Sequence, residues 1–194
     1  DETMACGSNY MTGDDIVYTF TLTEDGFLSG DITITDSWPG MFILDGCPDD
    51  GANCIVTCTD WSTGSSFVDE PITAGTYYVV ISSYATPQSI DFDFNLSFRA
   101  PSTETAITAY SFSEQTGAAT ITDGTPGTIS IEVNHCTIDL TSLVADFTLS
   151  PGATAEVAST PQVSGTTAND FSTTVTYVVT AEDGNTTKDW EVKV

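Results

Sequence analysis

Ile90-Asp91-Phe92-Asp93-Phe94-Asn95-Leu96-Ser97-Phe98 is the stretch on which the fold turns. Five apolar residues alternate without error with four polar ones. A period of two sends every aromatic to one face and every acid or amide to the other. One dry face and one wet face describe a strand of an antiparallel sheet packed on a single core. The same pattern recurs on both sides of this stretch.

Toward the N-terminus, Ile16, Tyr18, Phe20 and Leu22 share one face. Thr23-Glu24-Asp25-Gly26 is a turn of the Asp-Gly kind that sends Phe27–Ile34 back as a return strand. Met41-Phe42-Ile43-Leu44 is a continuous apolar run of strand length, and Cys54–Cys58 is a further short strand. Asp60–Asp69 reads as loop and Pro71–Gly75 as a turn. Thr76–Ser82 is rich in β-branched and aromatic residues and is strongly strand-forming.

Beyond Phe98, Ala100–Thr105 is a linker by composition. Strands are then expected at Ala106–Phe112, Ala118–Thr122, Thr128–Val133, Leu143–Leu149, Ala153–Val157, Thr173–Ala181 and Asp189–Val194, the last two joined at Asp183-Gly184. No segment sustains a 3.6-residue period over helix length. Short strands with Gly, Asp and Pro turns predict an all-β protein of two β-sandwich domains in tandem, 1–99 and 106–194, joined by 100–105.

The 194 residues hold 28 Asp+Glu against three Lys+Arg, a net charge of −25. Such a surface repels nucleic acid and anionic membranes, whose binding needs basic residues. With 40% apolar residues and a mean hydropathy of +0.01, the composition supports a packed core. No apolar run is long enough to span a bilayer. The chain begins at Asp1 and is expected to be a mature, exported form.

Five cysteines, Cys6, Cys47, Cys54, Cys58 and Cys136, occur without a CxxC and beside a single histidine, His135, which disfavours zinc. Disulfides in an exported protein fit better. Cys47 and Cys54 bracket a short turn and are expected to pair; Cys6 with Cys58 follows by elimination. Cys136 is left as a free thiol or as a link to another chain.

Two stretches resemble known families. Asp14–Leu22, Phe42–Cys47 and Ile72–Ile81 resemble, in order and spacing, the bacterial pre-peptidase C-terminal domain. That resemblance implies a jelly-roll-like sandwich serving secreted enzymes and surface proteins as an accessory module, some members binding calcium or polymeric substrates. Ser142–Ala153, Gln162–Phe171 and Val175–Gly184 resemble the immunoglobulin-like repeats of Bacteroidetes surface proteins, which implies a spacer or adhesive stalk. Cys136 departs from that pattern, where a turn residue such as Gly is usual.

Nothing in the chain assembles a catalytic set. His135 and Cys136 are neighbours, which a strand points to opposite faces, and neither GxSxG nor HExxH occurs. A non-enzyme is expected, with no required cofactor. Calcium is the one ion the loops suggest: Asp45, Asp49, Asp50 and Asn53 crowd one small loop, and Asp14-Asp15 form a second cluster, whereas EF-hand spacing is missing. Trp38, Trp61 and Tyr84 sit in loop-like segments, where exposed aromatics stack on sugars or anchor interfaces.

These readings converge on an extracellular or cell-surface structural or adhesive protein. Its expected partners are copies of itself or a surface glycan or protein. Self-assembly would add the N-terminal arm or the short C-terminal strand to a neighbour's sheet edge. The alternatives are a carbohydrate-binding accessory module using the loop aromatics, and a fragment of a larger adhesin or secreted enzyme.

Overall fold

A computed structural model describes residues 6, 15–35, 38–61, 63–84, 91–134 and 138–194, with the backbone alone at Asp49. The chain divides into two compact units, Asp1–Pro101 and Ser102–Val194. Both are built of strands, and the described residues contain no α-helix. The expectation of an all-β chain of sandwiches holds.

The first unit contains β1 (Ile16–Leu22), β2 (Gly26–Ile34), β3 (Pro39–Leu44), β4 (Cys54–Thr59), β5 (Gly64–Ile72), β6 (Gly75–Ser83) and β7 (Phe92–Arg99). A four-stranded sheet in the order β1-β6-β3-β4 faces a three-stranded sheet in the order β5-β2-β7, and all pairings are antiparallel. On β7 the alternation lands as the pattern demands. Phe92, Phe94, Leu96 and Phe98 pack on the core between the sheets, while Asp93, Asn95, Ser97 and Arg99 are exposed. Ile90 lies outside the described residues.

β3 shows why Met41–Leu44 does not alternate: all six of its residues are buried. Met41 and Ile43 enter the core between the sheets. Phe42 and Leu44, with Val80, form a second apolar cluster on the outer face of the same sheet, covered by Cys6, Ala52, Cys54 and Tyr78. A strand buried on both faces needs a continuous apolar run.

Three expectations for this unit are corrected. β1 and β2 are not a hairpin, for they lie in different sheets. The turn between them is an arch, held where the Asp25 carboxylate accepts a hydrogen bond from the Ala74 amide at 2.7 Å. Residues 64–69, expected to be loop, belong to β5, and Pro71, expected in a turn, lies on the same strand. β5 is a sheet edge, where Pro is tolerated, and its polar sequence hides its strand character.

The third correction concerns the cysteines. The disulfide joins Cys6 to Cys54, a separation of 48 residues, while Cys47 and Cys58 are free thiols. The reason is a β-bulge. Ile43 pairs with Val56 but Leu44 pairs with Cys54, so Ile55 is an extra residue on β4. By simple alternation, Cys54 and Cys58 would share a face; the bulge turns Cys54 to the other one. Cys58 stays in the inner core, 3% exposed, beyond reach of Cys6. Cys54 joins Leu44 on the outer face, where Cys6 meets it.

The second unit contains β8 (Ile107–Ser111), β9 (Thr120–Thr122), β10 (Gly127–Ser130), β11 (Leu143–Val144), β12 (Asp146–Leu149), β13 (Thr154–Val157), β14 (Thr160–Pro161), β15 (Ala168–Asn169), β16 (Val175–Thr180) and β17 (Thr187–Lys193). A six-stranded sheet runs β14-β13-β16-β17-β10-β9, with the parallel pair β10–β17 inside it; β8–β12 and β11–β15 are two-stranded. Leu143–Leu149, expected as one strand, is therefore shared between two sheets.

Trp190 and Tyr177 centre this core at 1% and 0% exposure. The indole Nε1 donates to the Thr105 carbonyl at 2.9 Å. Gly127 lies against the indole so closely that a Cβ there would sit 2.5 Å from it. The Tyr110 hydroxyl donates to that of Tyr177 at 3.0 Å, which the Asn169 side-chain amide also approaches, so the buried polar groups are paired.

Candidate functional site

Register creates the candidate site. β3 pairs with β6 through Pro39–Ser83 and with β4 through Gly40–Thr59. The start of β3 and the ends of β4 and β6 therefore lie at one end of the four-stranded sheet. The residues just beyond these strand ends are Trp38, Trp61 and Tyr84. They are separated by 23 positions at each step of the chain, yet the pairing makes them neighbours.

The Trp38 and Trp61 rings lie nearly parallel, 12° apart in plane with centroids 6.0 Å apart. Tyr84 leans on Trp38 at 5.5 Å and 45°. These are contact distances for aromatic pairs. Trp61 and Tyr84 each pack on Trp38 at contact distance, too close for a ligand to enter between the members of either pair, so the three rings form a platform centred on Trp38 and not a cage. Their exposures are 37% for Trp38, 79% for Trp61 and 42% for Tyr84.

Trp38 is held in an unusual backbone conformation, φ 73°, which is rare for a bulky residue and rarer still before a proline. Such strain costs about 1–3 kcal/mol and persists only when its surroundings impose it. The Trp38 carbonyl accepts the Tyr84 amide at 3.3 Å, and the Pro39 carbonyl accepts the Asp60 amide at 3.4 Å. The Asp60 carboxylate accepts the Trp61 amide and so braces the third ring from its own chain neighbour. The carboxylate bonded to the backbone of this ring-bearing residue is thus that of an acid next to it in the chain.

The acidic loop is organised differently. Both Asp45 carboxylate oxygens are taken by Asn53, from its backbone amide at 2.7 Å and its side-chain amide at 2.8 Å. The Asn53 side chain, then its backbone amide, holds the Asp45 carboxyl below its ordinary value. This arrangement closes the loop. Asp50 donates its amide to the Cys47 carbonyl at 3.0 Å in the same turn. Among the described residues no three His, Cys, Asp or Glu side chains gather as a metal-binding group. The Asp49 side chain, Asp14, His135 and Cys136 lie outside the described residues; Asp15 has one buried carboxylate oxygen without a hydrogen bond.

Two surface features had no clear signal in the sequence. On β1, a strand partnered on one side only among the described residues, Ile16, Val17 and Tyr18 are 46%, 47% and 42% exposed. Their alternation resembled that of a closed strand, and only the sheet order shows that it is an edge. In the second unit, an open groove of about 530 Å³ is lined by Thr176, Thr187, Asp189 and Glu191 beside Lys188. It offers hydroxyls and acids but no aromatic face. Its lysine is already committed, paired with Asp123 and lying over the Trp190 ring at 4.5 Å.

Residues 107–194 match the family model described as SGBP, N-terminal. The match spans nearly all of the second unit, a little under half of the chain. No curated protein and no solved structure matches the chain. The second unit is thus similar to a domain of surface proteins, a likeness that places the protein at the cell surface or in the extracellular space. No helix among the described residues is long and apolar enough to cross a membrane. The likeness of the first unit to pre-peptidase C-terminal domains rests on its sequence pattern alone.

Proposed function

We propose that this chain is a non-catalytic surface protein that holds an extracellular glycan on the Trp38–Trp61–Tyr84 platform of its first unit, with the second unit serving as its spacer. The observation that carries the reading is the platform itself: Trp61 and Tyr84 both packed on Trp38, all three exposed, with Trp38 held against backbone preference. Sugar rings present apolar C–H faces that stack on such rings, and aromatic anchors dominate binding energies. The match of residues 107–194 to an SGBP family, a family of glycan-binding surface proteins, supports it. In this reading the first unit plays the accessory part that its resemblance to pre-peptidase C-terminal domains implies.

Affinity electrophoresis of the full chain through gels containing single polysaccharides tests this. Retardation by at least one glycan is expected, and Trp61→Ala should weaken it about tenfold or more, a loss of about 1.4 kcal/mol or greater. Equal retardation of wild type and a Trp38→Ala/Trp61→Ala double variant in every gel would remove the platform from the account.

A second reading, self-assembly by strand addition, is favoured by the apolar edge at β1. The C-terminal strand is an unsuitable donor, because β17 is paired on one side with β16 and on the other with β10. β1 would instead act as acceptor for a strand of another copy. Concentration-dependent growth of particles in sedimentation or electron microscopy, abolished by Val17→Lys, is the expected result; a monomer at every concentration rejects it.

A further inference from the structure

Resting on the glycan reading, we infer that the platform takes sugars free of carboxylate, sulfate and phosphate. The chain has three basic side chains, and all three are engaged. Arg99 holds Asp69 through Nε and Nη2 at 2.9 and 3.1 Å and lies over the Phe27 ring. Lys188 pairs with Asp123, and Lys193 with Glu191 at 3.0 Å. Recognition of an anionic sugar relies on a charge-assisted hydrogen bond, best a bidentate one from arginine.

Arg99 is the single Lys or Arg of residues 1–101, against sixteen Asp and Glu, a net of −15 for that unit. It also lies at the wrong end. Arg99 pairs with Phe27, at the start of β2, whereas the platform follows the far end of that strand, a few residues beyond Ile34. Seven residue steps along a strand span about 23 Å. Screening in physiological salt acts over about 8 Å, so Arg99 has no reach to the platform. Among the described residues, the charge held on the backbone of Trp61 is negative, the Asp60 carboxylate, which accepts the Trp61 amide. An acidic sugar over Trp61 would meet a neighbouring carboxylate in a unit of net −15 and no compensating donor of positive charge. An uncharged pyranose meets π faces that attract its C–H edges.

The test uses pairs of polymers that share a backbone and differ in charge: hydroxyethyl against carboxymethyl cellulose, dextran against dextran sulfate, and arabinoxylan against glucuronoxylan. Affinity of the full chain and of Trp61→Ala is measured for each, with EDTA, in 0.02 and 0.5 M NaCl. For at least one backbone, the neutral member should bind ten times more tightly or better than its charged counterpart. The preference should persist in 0.5 M salt, where long-range repulsion is screened, and the binding should be lost in Trp61→Ala. Trp61-dependent binding of a charged member as tight as that of its neutral partner overturns the inference and leaves the glycan reading standing. Failure of every polymer to bind sinks the glycan reading and this inference with it.

Discussion

The two units solve the same problem and present opposite surfaces. In residues 102–194 the large aromatics are inside: Trp190, Tyr177, Phe171, Tyr110 and Phe112 are all buried, and among the described residues the exposed large hydrophobics are Val144, Val163 and Val178. In residues 1–101 the corresponding exposed group contains two tryptophans and two tyrosines beside Ile16, Val17, Ile55 and Val68. Scattered exposed valines need no explanation, whereas clustered aromatics usually mark a place of contact. The first unit also carries a disulfide, which fastens a covering cysteine over a sheet that is apolar on both faces. The proposed division into a binding unit and a spacer unit rests on this contrast, and each part of it can be attacked.

The largest expected effect is in the spacer unit. Trp190→Ala empties the centre of its core and removes the hydrogen bond to Thr105, and should destabilise that unit by about 3–5 kcal/mol. Urea unfolding of the full chain should show one transition shifted strongly and the other unchanged. If both move together, the two units do not unfold independently.

Next comes the covalent clamp of the binding unit. Closing a loop of 48 residues is worth about 4 kcal/mol on the chain-entropy model. The Cys6→Ala/Cys54→Ala variant should lose stability on that order in the first unit alone, while Cys47→Ser changes nothing. A loss from Cys47→Ser as large as that of the double variant would reinstate the Cys47–Cys54 pairing.

Acid should separate the units more gently. Hydrogen bonds accepted from neighbours hold two exposed carboxyls of the first unit below 3.8: Asp45 bonded by Asn53 and Asp69 by Arg99. In the second unit, among the described residues, four are held down, Asp123 by Lys188, Asp139 by Thr141, Asp170 by Ser172 and Asp183 by Thr186. A carboxyl depressed by folding contributes stability above its unfolded value, and the contribution is lost as pH falls through its folded value. Urea midpoints measured from pH 5 to pH 2 should therefore fall for both transitions, more steeply for the second unit. An equal slope would mean that these loop bonds are not kept in solution.

The smallest effect is the most diagnostic. Trp61 is 79% exposed, so Trp61→Ala should change stability by no more than about 0.5 kcal/mol while it removes glycan binding. A large loss of stability would mean that the ring is a structural cap, and the distinction between binding and spacer units would weaken.

The errors in the sequence reading share a cause. Alternation is local, so β7 was legible residue by residue from Phe92 to Phe98. β14 was not, because its turn with β13 places Ala158 and Ser159 at φ 47° and 62°, where hairpins of this type ordinarily use Asn and Gly. The edge strand β5 lacked alternation, and the arch after β1 looked like a hairpin, because neither local pattern says which sheet receives the next strand. The three platform aromatics could be named one by one as exposed loop residues, but nothing in their spacing announced that they touch.

Composition and periodicity by themselves determined the all-β class, the apolar sandwich faces and the scarcity of basic residues, since each depends on residue type and on neighbours one or two positions away. Which cysteines bond, which edge is left open and which rings meet were settled only in three dimensions. One bulged residue at Ile55 sends Cys54 to the opposite face from Cys58, and two antiparallel registers, of β3 with β4 and with β6, bring Trp61 and Tyr84 to Trp38. Pairing between distant strands carries no signature in the local sequence, because the backbone groups that make it are the same at every residue.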